Sequence, residues 1–167
     1  VDAQGGLVVA QGSANGIRVQ TESGSTFVST SYEVARVSNL GDQPILAVAR
    51  ADGLVSLTDA ASGQPFGNPL STGAGQPLEL AIDSANQRLA LSSCAPAVAN
   101  EDCTRSEVSL WSLAGGEPQT LDLSVDSLVR SLAFDPGGAL LALGSQDGQV
   151  LLYEVTAGQT PQPDGLP

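Results

Sequence analysis

Three times in this chain two apolar runs meet at an Asn-Gly or Asp-Gly turn, and that repeated unit restricts the fold more than any other feature. Leu7–Gly24 (LVVAQGSANGIRVQTESG) carries Asn15-Gly16, and Pro44–Gly63 carries Asp52-Gly53 between PILAVAR and LVSLTDAASG. Ser131–Gly158 (SLAFDPGGALLALGSQDGQVLLYEVTAG) carries Asp147-Gly148. The turns lie 37 and then 95 residues apart, and the wider gap holds one more unit, LELAIDSANQRLALSS (Leu78–Ser93) with EVSLWSLAGG (Glu107–Gly116). There the tight turn gives way to an insertion, roughly Cys94 to Ser106. Asn-Gly and Asp-Gly tolerate the positive φ of a two-residue hairpin and so fix strand register. Strands are predicted near 32–38, 44–50, 54–60, 77–83, 89–94, 107–113, 128–134, 139–145 and 149–155. A unit this short cannot bury both faces of its sheet alone, so it must stack on copies of itself.

The last unit resembles a WD40 repeat, the four-stranded blade of a β-propeller, of the degenerate bacterial type. Its lead-in FDPGGA (Phe134–Ala139) is mirrored by VDAQGG (Val1–Gly6), and runs such as ALLAL and QVLLYEV are apolar on both faces, as a blade between neighbours requires. An ordinary β-sandwich, with similar strands and turn spacing, is the competing fold. The resemblance implies an all-β propeller segment over 1–159, in units of about 1–30, 31–73, 74–123 and 124–159, with 160–167 as a Pro-rich tail, either linker or exit strand. Asn15, Gly16, Asp52, Gly53, Asp147 and Gly148 are then structural turn positions. The chain has no His, and the Trp-Asp positions of the repeat read Thr58-Asp59, Trp111-Ser112 and Tyr153-Glu154. Trp111 and Tyr153 are expected to pack against a neighbouring blade rather than stack on a ligand.

About four blades are present where such propellers usually close with more. Aligned internally, Val1 matches Phe134 at the end of a first strand, and the last unit stops soon after its third strand. The resemblance therefore implies a partial propeller, completed by other blades or by a second chain, whose open apolar faces (LVVAQ, Leu7–Gln11; VLLYEV, Val150–Val155) are association sites.

Charge narrows the partners. Eighteen acidic residues oppose six basic ones, all Arg and scattered at 18, 36, 50, 88, 105 and 130, for a net charge of −12. No basic stripe exists to neutralise phosphates, so nucleic acid is not an expected partner. No run approaches the roughly 20 apolar residues of a spanning helix, so direct membrane insertion is not expected either. Without His or Lys the chain has no side-chain base suited to neutral pH, and it carries neither a Gly-x-Ser-x-Gly elbow nor a phosphate loop. Asp2, Asp52, Asp135 and Asp147 fall where turns want Asp for backbone reasons. Asp83-Ser84-Ala85-Asn86 lacks the later Gly and distal Glu of a calcium loop. No catalytic residue, metal or cofactor is expected.

Cys94 and Cys103, the only cysteines, flank the insertion and are expected to form a disulfide. That bond favours a periplasmic or secreted location; free thiols would favour the cytoplasm. By the resemblance the insertion projects on the partner-facing rim, carrying Glu101, Asp102 and Arg105 as candidate contacts. The expected function is a non-enzymatic protein–protein interaction scaffold. The alternative is an extracytoplasmic propeller that binds carbohydrate or another small ligand, with or without hydrolysing it. Inward carboxylates converging with an aromatic in one cleft would favour the alternative.

Overall fold

The computed structural model describes residues 9–21, 24–28, 30–72, 75–94, 103–113, 119–121, 126–155 and 162–163. These residues are all-β, without a helix, and form four antiparallel sheets in chain order. The first sheet holds β1 (Val9–Ser13), β2 (Gly16–Thr21) and β3 (Gly24–Val28). The second holds β4 (Val34–Leu40), β5 (Gln43–Ala49), β6 (Leu54–Asp59) and β7 (Leu70–Ser71). The third holds β8 (Pro77–Asp83), β9 (Arg88–Cys94), β10 (Ser106–Ser112) and β11 (Gln119–Thr120). The fourth holds β12 (Val129–Phe134), β13 (Leu140–Ser145), β14 (Val150–Glu154) and β15 (Gln162–Pro163). Each is a plain up-and-down meander, and the sheets do not close into a barrel.

Contacts divide the chain into two compact parts, Val1–Ala74 and Gly75–Pro167. In the first, Ile17 and Val19 of β2 meet Leu46 and Val48 of β5 in a small buried cluster. The second has a larger one, in which Ala81, Ala90, Val108 and Leu110 of the third sheet pack on Val129, Leu141, Leu143, Tyr153 and Val155 of the fourth. Central strands are buried on both faces, as at Ile45–Ala49 of β5 and Leu89–Ser92 of β9. Fully burying one Leu or Ile in this way contributes about 1.5–3 kcal/mol, which explains apolar runs in place of clean alternation.

The third and fourth sheets repeat each other closely. Their opening strands each carry a register shift at the start, Pro77/Glu79 and Val129/Ser131, and each runs into an Asp, Asp83 or Asp135, that caps the following turn. Bulges are placed features rather than accidents, so the shared position is evidence of a shared plan.

Two expectations are corrected. The Asp-Gly hairpins are three-residue loops: Arg50 and Ser145 donate to Leu54 and Gln149, and only the closing glycines Gly53 (φ 77°) and Gly148 (φ 89°) are left-handed. A type I turn followed by a left-handed Gly asks nothing unusual of the Asp, which is free to accept hydrogen bonds. The Asn15-Gly16 hairpin does have a two-residue loop, Ala14–Asn15, yet the positive φ falls on Gly16, beyond the loop. Second, the last unit does not stop after its third strand, and of the two readings of the tail, linker or exit strand, residues 162–163 follow the second. Gln162 and Pro163 pair with Glu154 and Tyr153 and supply the closing strand that the last unit was expected to lack. Two residues of ladder at a sheet edge leave no hydrophobic periodicity to detect, and Pro is tolerated there. The short strands β7 and β11 escaped the sequence pattern for the same reason.

Of the apolar run Val150–Val155, Tyr153 and Val155 are buried, Leu151 and Leu152 are half-buried, and Val150 is 69% exposed. Ala10 and Gln11 of the run Leu7–Gln11 are exposed.

Candidate functional site

The region with the most built-in constraint is one end of the third sheet, where the insertion leaves β9 and returns to β10. Cys94 is the last residue of β9 and pairs across the ladder with Ser106. Cys103 stands three residues before Ser106 and is joined to Cys94 by a disulfide, with the Cα atoms 5.6 Å apart. Thr104 and Arg105 follow it in the open, both exposed. Glu101 and Asp102 lie outside the described residues.

Beneath the disulfide, two buried serines tie the third sheet to the fourth. Ser92 Oγ donates to the carbonyl of Val129 at 2.9 Å, and the Val129 N–H donates to Ser106 Oγ at 2.8 Å. Both polar groups of Val129 sit at a register shift and would otherwise lack ladder partners in a buried place, a loss of about 1–3 kcal/mol each. The sequence carried half of the signal for this, Ser92 where it interrupts the apolar run LALSS, whereas Ser106 stands outside that run. A hydroxyl buried in a strand needs a partner, but sequence alone does not say where it is.

The opposite end of β9 carries the one internal ion pair among the described residues. Arg88 donates to Asp83 Oδ2 through Nη2 at 2.6 Å and Nε at 2.9 Å, and its guanidinium also reaches the carbonyls of Val155 and Gly138 in the fourth sheet. Asn86 Nδ2 bridges from Asp83 to the carbonyl of Gly137, and the Phe134 ring lies 5.7 Å from the guanidinium carbon. Asp83 also accepts the N–H groups of Ala85 and Asn86. Asp83 therefore caps its own turn and, through Arg88 and Asn86, also binds two sheets together.

The remaining turn positions are locally satisfied. Asp52 pairs with Arg50 at 2.5 Å, where both side chains are open to water. Asp147 accepts from Ser145 Oγ and from Gln149 Nε2. Asn15 is exposed in its hairpin loop, and Asp2 lies outside the described residues. Trp111, 4% exposed, lies on the face of its sheet away from Val108 and Leu110, whereas Tyr153 is fully buried within the cluster between the third and fourth sheets. Neither aromatic is presented at a surface. Among the described residues no three Cys, Asp or Glu side chains gather as a metal-binding set.

Three turn carboxyls are held below their usual value of 3.8: Asp59 chiefly by the Ser62 N–H, Asp135 chiefly by the Leu140 N–H, and Asp147 chiefly by the Ser145 hydroxyl. A carboxyl depressed in the folded state stabilises it fully above the unfolded pKa and loses that contribution as pH falls through the lower folded value. The three turns are therefore expected to hold at neutral pH and to loosen only below about pH 4. Carboxyl carbon shifts followed by NMR should give midpoints under 3.8 for all three. Midpoints at or above that value would contradict the hydrogen bonds.

The disulfide closes a short loop, with a sequence separation of 9. On the loop-entropy account its removal costs about 2–3 kcal/mol. A Cys94→Ser/Cys103→Ser variant should show that loss in urea unfolding with the native Trp111 fluorescence spectrum retained. An unchanged midpoint would mean that the insertion is already constrained without the bond.

No protein-family model matches this chain, and no curated protein matches it in sequence.

Proposed function

We propose that the chain is a WD40-like propeller segment that works as a non-enzymatic protein-interaction scaffold, the insertion after β9 being its partner-facing element. The observation that carries this reading is the antiparallel meander repeated four times in chain order, with matching bulges and Asp-capped turns in the third and fourth sheets and hairpins closed by left-handed glycines in the second and fourth. Long loops on rigid sheets are where recognition residues concentrate. Here the two ends of the loop are held by Cys94–Cys103 and by the Ser92–Val129–Ser106 bonds, which lowers the conformational entropy that binding at the loop would have to remove. The hydrolytic alternative draws less support, because the one fully buried carboxylate among the described residues, Asp83, is committed to Arg88. The disulfide supports an oxidising, extracytoplasmic setting.

The test uses crosslinking in the cells that make the protein, followed by purification of the captured partner and measurement of its affinity. Arg105→Glu, and separately replacement of residues 95–102 by a Gly-Ser segment with both cysteines kept, should each weaken binding about tenfold or more without lowering the melting temperature. A partner that binds both variants as tightly as the parent chain removes the loop from the function.

A further inference from the structure

We infer that Asn15 is a site of spontaneous covalent modification, at which the side-chain amide is lost as ammonia and the main chain of the β1–β2 hairpin is rerouted through the side-chain carbons. The reaction needs no partner, so it stands apart from the scaffold reading. It is intramolecular. The Gly16 nitrogen gives up its proton to a base in solvent and attacks Asn15 Cγ; a C–N bond forms, the Cγ–NH2 bond breaks, and the leaving nitrogen takes a proton from water. The five-membered succinimide then adds water. Opening at the Cγ carbonyl gives aspartate, opening at the main-chain carbonyl gives isoaspartate, and neither step needs an oxidant or a reductant.

Three observations select this position. Of the five asparagines, 15, 39, 68, 86 and 100, Asn15 alone precedes a glycine, which puts no side chain against the attacking nitrogen. Asn68 precedes Pro69, whose nitrogen has no proton to lose; Asn39 and Asn100 precede Leu40 and Glu101, and Asn86 is fixed by its bonds to Asp83 and Gly137. Next, Asn15 is exposed, and so are Asp52 and Asp147 in the matching turns of two four-stranded sheets, so this position faces water throughout the repeat. Finally, the matching turns carry a carboxyl where this one carries an amide. Asp52 is ion-paired with Arg50, and Asp147 is held below the usual carboxyl value chiefly by the Ser145 hydroxyl. An ionised carboxylate resists nucleophilic attack, whereas the neutral amide of Asn15 accepts it.

The hairpin sets both the pace of the reaction and its consequence. Gly16 is buried and pairs with Ser13, whose Oγ donates to the Gly16 carbonyl at 3.0 Å. Attack therefore waits for this last pair of the ladder to open, and local opening beside a loop costs far less than global unfolding. A two-residue loop closing on Ser13 and Gly16 fixes the register of β1 on β2. Isoaspartate adds one main-chain atom to that loop and breaks the fit, while aspartate adds none.

The test holds the folded chain at neutral and at mildly alkaline pH for weeks and maps tryptic peptides by mass spectrometry. The peptide ending at Arg18 should gain about 1 Da. Its rate should rise with pH and exceed that of every other asparagine about tenfold or more. An isoaspartyl-specific methyltransferase should label the product. Asn15→Gln, which would have to close a six-membered ring, should remove the mass gain and the label. The separated isoaspartyl protein should exchange its Gly16 amide about tenfold faster than the Asn15→Asp variant. Reaction at Asn15 in the urea-unfolded chain but not in the folded one would show that the hairpin shuts the site, and overturns the inference. Another asparagine reacting first overturns it too, as does a gain that survives Asn15→Gln. Aspartate as the sole product, or equal Gly16 exchange in the two forms, overturns the rerouting of the hairpin.

Discussion

Replacing Arg88 with Ala is expected to cost the Gly75–Pro167 part of the chain about 3–5 kcal/mol, among the largest single-residue effects in the protein. Asp83, whose side chain is 1% exposed, would be left buried without its cationic partner, and the Arg88 side chain that shields it is itself only 12% exposed. The same change removes the donors to the carbonyls of Val155 and Gly138 and the contact with the Phe134 ring, so the fourth sheet loses one of its fastenings to the third. Most of the penalty comes from stranding a charge, since the net worth of a buried pair is small once desolvation is counted. A double variant, Asp83→Leu/Arg88→Met, should therefore recover much of the loss, which an argument from lost contacts alone would not predict. Urea unfolding followed through Trp111, which lies in the same part of the chain, measures both. A single-variant loss under about 1 kcal/mol would place the pair among solvated surface bridges instead.

What the sequence disclosed and what it hid divide along a physical line. The nine strands predicted from apolar runs all lie within about two residues of observed ones, from β4 to β14, because burial on both faces demands long apolar stretches and turns demand Gly, Asp and Asn. The paired edge strands β7, β11 and β15 are two residues each and carry no such demand. The Cys94–Cys103 bond was legible because two lone cysteines bracketed the one insertion. The Arg88 clamp was not, since five residues separate it from Asp83 along the chain while its other partners, Gly138 and Val155, are 50 and 67 residues away. Likewise, nothing in LALSS announces that Ser92 reaches Val129 across 37 residues. Local chemistry is written locally, whereas pairing between sheets depends on a packing that no short window contains.

Tyr153→Ala should cost about 3–5 kcal/mol, while Val150→Ala, in the same strand, should cost under about 0.5 kcal/mol. Tyr153 is fully buried among Ala81, Ala90, Val108 and Leu110 on one side and Leu141 and Val155 on the other, so truncation opens a cavity at the junction of two sheets that small neighbours such as Ala81 and Ala90 cannot refill. Val150 is 69% exposed and loses little that water does not already touch. Tyr153→Phe keeps the ring volume and gives up only the hydroxyl, so a loss near 1 kcal/mol is expected. The order Ala far above Phe is what a packing role requires. If Tyr153→Phe instead cost as much as Tyr153→Ala, the hydroxyl would be holding the strand and the aromatic position of the repeat would be polar in purpose. Equal losses at Tyr153 and Val150 would mean that β14 is covered on both faces in solution, and that the face carrying Val150 and Leu152 belongs to an interface.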